Sequence, residues 1–231
     1  MVYKKSDKTE ARKDEKRKLI FGTAAKVFAQ NGYHQTSVKN ICDAAEISVG
    51  TFYLYFKNKE DLFEELYDEM EKLINHVNKY AVGMDAKTAA ERFAHVVAAS
   101  IWTYQKYREL AKILLIEAVG LNPRFEDKYT NIMLKSCATM EDTLKRLKDK
   151  GFIDVPDVKV AAIAHEGAFN HAIAYWLRVN EELDLKVYAY PLTVYSLQAL
   201  KMDFRSNDIQ YSINETFEEL DNSADKFMKF R

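Results

Sequence analysis

Glycine and proline are scarce in this chain: seven glycines and three prolines stand among 231 residues. Hairpins, barrels and sandwiches need turn residues at close intervals, so an all-β or strand-rich design is excluded. Gly22, Gly32, Gly50, Gly83, Gly120, Gly151 and Gly167 never come closer than ten residues to one another. That spacing writes no phosphate-binding loop, dinucleotide fingerprint or nucleophile elbow, and an enzyme is not expected. Only two cysteines occur, Cys42 and Cys137, which excludes a disulfide framework and a cysteine-rich metal cluster. His165 and Glu166 open a zinc-protease-like pair, but the position four residues after His165 is Phe169 and His171 turns to another face of a helix, so no metal or cofactor is expected. No apolar run approaches the ~18 residues of a membrane span, and the first 20 residues are charged. Neither a secretion leader nor a membrane partner is predicted, and a reducing cytoplasm fits.

What is present is helix-forming material and a segregated charge. Ala, Leu, Glu and Lys are abundant, and 27 Tyr and Phe supply bulk for a core. Residues 1–59 carry 12 basic against 6 acidic side chains, whereas the remaining 172 carry 22 against 29. The near-neutral total of -1 thus hides a basic first quarter, which suits a polyanion or simply a solvated tail bearing Lys4, Lys5 and Lys8.

Apolar periodicity predicts a first helix over about 12–31, stopped at Asn31-Gly32. Thr36-Ser37 offers an N-cap for a short second helix that breaks at Glu46-Ile47. Ser48 caps SVGTFYLYF, too brief to be helical unaided, and a longer helix follows from Asn58. A helix, a tight turn and a second short helix braced by a preceding helix is the design of a helix-turn-helix. Phe52 and Phe56 turn inward at i and i+4, leaving Val49, Gly50, Thr51, Tyr53, Leu54 and Tyr55 near the outside. Exposed tyrosines are a liability on an inert face, but they lie along sugars and donate to phosphates on a nucleic-acid face, with Lys57 and Lys59 beside them.

The run TSVKNICDAAEISVGTFYLYFKNKEDL, residues 36–62, with its lead-in AAKVFAQNGYHQTS, resembles the tetracycline-repressor (TetR) family of bacterial regulators. The resemblance covers the first third of the chain in detail. It implies that Thr36, Ser37, Lys39, Tyr53, Tyr55 and Lys59 touch backbone phosphates of a double-stranded DNA operator. Val49, Gly50, Thr51 and Leu54 would approach base edges. One departure stands out: the turn residue before Ile47, commonly glycine in that family, is Glu46. If it adopts a positive φ the strain is on the order of 1 kcal/mol. Within the family, NGYHQ and YLYFKNKEDL are similar to regulators of fatty-acid breakdown that bind acyl-CoA, although both stretches lie in the head.

The expected architecture is all-α: a DNA-binding domain over 1–57, a linking helix over 58–83, and a helical regulatory and dimerisation domain over 84–231. Further helices are predicted near 86–106, 108–120, 124–150, 157–180 and 191–203, and a last one from Ser212, where Glu215 completes a capping box. Small residues from Ala161 to Ala174, with Gly167 and Ala168 among them, keep one helix thin for close packing. The resemblance places it, with the helix from Pro191, in a homodimer interface. Phe93, Val97, Trp102, Ile113, Glu117, Met133, Cys137, Phe169, Asn170 and Tyr175 lie on helices that would surround an effector, each with ordinary core packing as its alternative. A ligand-responsive repressor on a palindromic operator is the favoured reading. A DNA-organising protein without an effector, and an enzyme carrying a DNA-binding head, are the competitors.

Overall fold

The computed structural model describes residues 7–179 and 182–227, with side chains from residue 10 onward. Lys4, Lys5 and the Lys8 side chain, part of the basic start, lie outside the described residues, as does the end of the helix expected to reach 180. Every regular element among the described residues is helical. None of these helices is long and apolar enough to cross a membrane. The chain forms two compact units, one reaching to Glu69 and one covering Met70–Phe227.

In the first unit, α1 (Asp7–Gln35) buries Ile20, Phe21, Ala24, Val27 and Phe28 at helical spacing. Its straight run breaks at Gly32, whose φ of 76° belongs to the left-handed region that glycine enters without steric cost. α2 (Val38–Ala44) and the five-residue α3 (Val49–Tyr53) follow, and α4 (Lys59–Val82) begins here. Phe52 is wholly buried, Phe56 nearly so, and both join Ile41, Leu62, Phe63 and Leu66 in one core. That burial holds α3, which is far too short to persist alone. Arg17 ties this core's edge together, pairing with Glu65 while its guanidinium lies 5.1 Å from the Phe56 ring centroid.

In the second unit, α5 (Ala89–Lys106) is apolar nearly all round and is buried from Val97 through Tyr104, as a central helix must be. α6 (Arg108–Lys112) widens at once into a π-helical turn over Ile113–Glu117, where the predicted single helix over 108–120 gives way. There Ala118 N–H reaches back to Ile113 C=O at 3.0 Å, and Ile113, Leu114 and Ala118 are all buried. α7 (Pro123–Asp149) and α8 (Val158–Val179) pack against each other. α9 (Ala189–Ala199), preceded by a 3₁₀ turn over Leu185–Tyr188, starts earlier than its proline suggests.

α10 (Ser206–Asn222) also starts before its expected position, and α11 (Ala224–Phe227) is a single closing turn. Ser212 caps nothing: it lies inside α10, buried, with its carbonyl accepting from Thr216 Oγ1 at 2.7 Å. Ile209 belongs to the same buried stripe as Ile213, Thr216, Phe217 and Leu220, so the helix runs back to cover it. α10 lies along α5 and is stitched to it by polar ties, Trp102 Nε1 to Asp221 at 2.7 Å and His95 Nδ1 to Thr216 Oγ1 at 2.7 Å.

Candidate functional site

The outward surface of the head is built from two caps and one strained turn. Ser37 Oγ accepts from Asn40 N–H at 3.1 Å, and the Asn40 side chain accepts from Ser37 N–H at 2.9 Å, so α2 starts in a reciprocal cap. Ser48 repeats the device on α3, accepting from Thr51 N–H at 3.1 Å. Between the helices Glu46 takes a φ of 53°, the left-handed conformation an L side chain adopts at a cost of roughly 1 kcal/mol. Ile47 N–H then closes on Cys42 C=O at 3.0 Å, which turns the chain sharply enough to launch α3.

These turns present Ser37, Lys39, Val49, Gly50, Tyr53 and Leu54 to solvent, with Thr51 and Tyr55 half-buried beside them. Leu54 is 74% exposed and Tyr53 54%, high values for such large apolar bodies. A Cβ added at Gly50 would meet only Ser48 Oγ, at 3.8 Å, so nothing inside the head requires glycine there. Tyr53 rests edge-on against Phe52, ring centroids 5.4 Å apart, and stays more than half exposed.

Two of the residues expected at phosphates also have partners inside the head. Thr36 is buried and gives its hydroxyl to Gly32 C=O at 2.7 Å, so it seals the helix break instead of facing a nucleic acid, and the cap of α2 is Ser37. Lys59 is half-buried, with its ammonium donating to the carbonyls of Tyr33 and Thr36, each at 2.8 Å, while lying 4.0 Å from the Tyr33 ring centroid. Burial holds its pKa below the ordinary lysine value.

In the second unit the residues expected around an effector separate into groups. Phe93, Val97 and Ile113 are core. Trp102 is core as well, its one polar atom held by Asp221, which Lys186 also reaches at 3.0 Å. Glu117 is half-buried in the π turn. Met133 and Tyr175 point to solvent: Tyr175 shares the outer face of α8 with Val160, Ile163, Ala164 and Gly167, because helical period separates it from Phe169. Cys137, Phe169 and Asn170 are half-buried.

Around those last residues lies a polar group that periodicity did not single out. Glu166 Oε2 accepts from Ser136 Oγ at 2.7 Å across the α7–α8 contact. Burial pushes its carboxyl above the usual range, and Cys137 and Tyr104 are raised first by their own burial and then by the field of Glu166. His165 next to it shares a 3.0 Å hydrogen bond with Ser196 Oγ, meets Phe93 edge-to-face at 5.2 Å between centroids and stacks on Phe169 at 6.4 Å. Burial depresses the His165 pKa to about 4, so the ring is neutral near pH 7. A carboxylic acid and a histidine side by side on a helix whose other residues are mostly apolar are the sequence signal that marks this place.

Residues 20–66 match the family model for bacterial regulatory proteins of the tetR family. The fatty acid metabolism regulator protein of Bacillus subtilis is 29% identical over 168 residues, covering 72% of this chain and 86% of that one. Among solved structures, the fatty acid degradation regulator FadR from Bacillus halodurans aligns with a TM-score of 0.70 at 24% identity, over 81% of this chain and 97% of its own. FadR from Bacillus subtilis, in complex with stearoyl-CoA, aligns with a TM-score of 0.66 at 25% identity, over 78% and 97%.

Proposed function

Because the chain belongs to the tetR family of bacterial regulatory proteins, we propose that it is a transcriptional repressor that binds a palindromic operator as a dimer and leaves it when a small hydrophobic or amphipathic effector binds. The observation that carries the reading is the outer face of α3. Val49, Gly50, Tyr53 and Leu54 are exposed there without any internal use for their exposure. Short and apolar groups at the start of a helix reach base edges and thymine methyls in a major groove. Ser37, Lys39, Tyr53, Tyr55 and Lys59 flank that helix as phosphate partners, with exposed Lys57 beside them. Thr36 serves by fixing the turn.

The second unit supplies the dimer and the control. Val160, Ile163, Ala164, Gly167 and Tyr175 on α8 lie outward, as do Pro191 and Tyr195 on α9. Exposed apolar residues of this kind, which on α8 flank the exposed His171, are covered in the working protein we propose by the same two helices of a second copy. Two heads related by a two-fold axis meet successive major grooves about 34 Å apart. The complex of the similar Bacillus subtilis FadR with stearoyl-CoA supports an amphipathic class of effector. α4, which the two units share, is the element through which occupancy would alter the heads.

Selection of duplexes from a random pool tests the operator. The native chain should enrich inverted half-sites about one helical turn apart. Gly50→Ala should not lower the melting temperature but should lose at least tenfold in affinity for those duplexes, because inside the protein its methyl group makes only an ordinary contact with Ser48 Oγ and otherwise stands on the proposed DNA face. A pool with no enriched inverted repeat sinks the reading.

A further inference from the structure

The last described turn of the chain packs where the end of α4 meets α5. α11 is four residues long and cannot persist alone, so what fixes it lies outside it. Phe227 on it is buried, and the rings that cover it belong to other elements. It stands edge-to-face to His76 and Tyr80 of α4, at 5.3 and 5.4 Å between centroids, and to Trp102 of α5 at 6.2 Å. His76 and Tyr80 are one helical turn apart, and neither belongs to the stripe of Met70, Leu73, Val77 and Ala81 that α4 buries. α11 therefore holds α4 by a second face.

Polar ties join the same elements. The Tyr80 hydroxyl donates to Glu219 Oε1 across 139 residues. That bond lowers the Glu219 carboxyl and raises the Tyr80 phenol, so a neutral hydroxyl meets an ionised carboxylate. Ser223 Oγ donates to the same oxygen at 3.3 Å and accepts from Lys226 Nζ at 3.2 Å, which fastens α11 to α10. Asp221 takes Trp102 of α5 together with Lys186 of the 3₁₀ turn that leads into α9. From Glu219 to Asp221, α10 thus reaches α4, α5 and the approach to α9. Tyr80, Glu219 and Phe227 belong neither to the face proposed for DNA nor to the residues expected around an effector.

We infer that α11 is a clasp on the linking helix, and that Phe227, Glu219 and Tyr80 are positioning residues for operator binding. The inference rests on the reading of the chain as a dimeric operator-binding repressor and extends it to α10 and α11, to which that reading gives no part. α4 begins in the first unit and ends in the second, so freedom of its end against α5 becomes freedom of the head that it carries. A head that binds one half-site alone loses little by such freedom. Two heads on an inverted repeat must hold their places together, because the second contact depends on the effective concentration at which one bound head presents the other. Loosening the clasp weakens the paired contact and leaves the single one.

The test compares the selected inverted repeat with the same duplex carrying one scrambled half-site, each titrated with the full-length native chain and its variants below their melting transitions. Tyr80→Phe removes the donor to Glu219 and keeps the ring against Phe227, whereas Phe227→Ala removes the ring that α4 and α5 enclose. Both variants should lose at least about fivefold in affinity for the repeat and less than about twofold for the single half-site, with the native dimer retained in sedimentation. Glu219→Gln keeps an oxygen that accepts from Tyr80 and should bind the repeat like the native chain. Hydrogen exchange in Tyr80→Phe and Phe227→Ala should quicken at the amides of 79–82 and stay native in α2 and α3. Variants that lose both duplexes alike have damaged the head and not its placement, which overturns the inference. Should Phe227→Ala fail to fold, Tyr80→Phe decides alone. Variants that bind as the native chain does, while the native chain prefers the repeat, overturn the clasp and leave the repressor reading standing. A native chain that binds the two duplexes equally sinks the dimeric operator reading, and the clasp falls with it.

Discussion

Lys59 holds Tyr33 from two sides at once: its ammonium donates to the Tyr33 carbonyl at 2.8 Å and lies 4.0 Å from the centre of the same residue's ring. Because it also donates to Thr36 C=O, the cation closes the corner between α1 and α2. A residue that binds phosphate only through its surface charge contributes little to stability. Lys59 should behave otherwise. Lys59→Met removes a charged donor from two carbonyls, each such bond worth about 1.5–3 kcal/mol, so unfolding of the head should move to lower temperature as DNA affinity falls. Lys57 is exposed, and Lys57→Ala should leave the melting temperature alone. In a dimer losing one phosphate contact per subunit it should shrink the slope of log K against log salt by roughly 2 × 0.9. Equal effects of both variants on melting contradict the bracing role.

Glu46 is the one place where the turn of the head departs from its easiest chemistry. Its φ of 53° is strained for glutamate and free for glycine. Glu46→Gly should stabilise the head by about 1 kcal/mol. It also removes an exposed carboxylate from the face proposed to meet a polyanion, so DNA affinity should rise together with stability. A drop in melting temperature would mean that the Glu46 side chain repays its strain through contacts elsewhere.

The head was legible in the sequence because its determinants are local. Ser37 and Ser48 cap within three residues, Phe52 and Phe56 share a face one turn apart, and Gly32 breaks its own helix. What the pattern did not reveal depends on partners distant in the chain. Lys59 meets carbonyls 26 and 23 residues earlier, Glu166 meets Ser136 across 30, and Trp102 meets Asp221 across 119. Tyr175 illustrates a second difficulty. α8 is apolar on most sides, so periodicity shows a helix but not which side the core takes. The early start of α10 has the same origin: Ser212 and Glu215 form a plausible cap in sequence, and the burial of Ile209 overrides it.

His165 should make the protein acid-sensitive in a defined window. Its pKa falls from 6.5 to about 4 in the fold, so between those values the unfolded chain binds a proton that the folded chain refuses. Its contribution to stability is therefore complete above pH 6.5 and is lost as pH drops towards 4. The shift bounds that loss at about 3 kcal/mol. Burial raises the Glu166 pKa, the opposite direction, so the comparison must be with His165→Gln. Denaturant midpoints at pH 7 and pH 4.5 should diverge for the native chain and draw closer for the variant. Parallel losses in both exclude His165 as the source.

Gly167 separates what the fold needs from what a second copy needs. A Cβ built there meets nothing within 4 Å, and the residue is exposed, so within one chain a larger side chain costs no packing. In the proposed dimer the same position lies where two α8 helices approach, and a leucine holds their backbones apart. Overpacking of this kind typically costs about 1–3 kcal/mol. In association terms that is a weakening of roughly 5- to 150-fold. Sedimentation of Gly167→Leu across a dilution series should show monomer at concentrations where the native chain remains dimeric, while the helical signal of both is the same. Because two heads must bind together, operator affinity should fall in step with the dimer, and crosslinking the subunits should restore it. If Gly167→Leu stays dimeric and binds DNA like the native chain, α8 does not form the interface and its exposed apolar face serves something else.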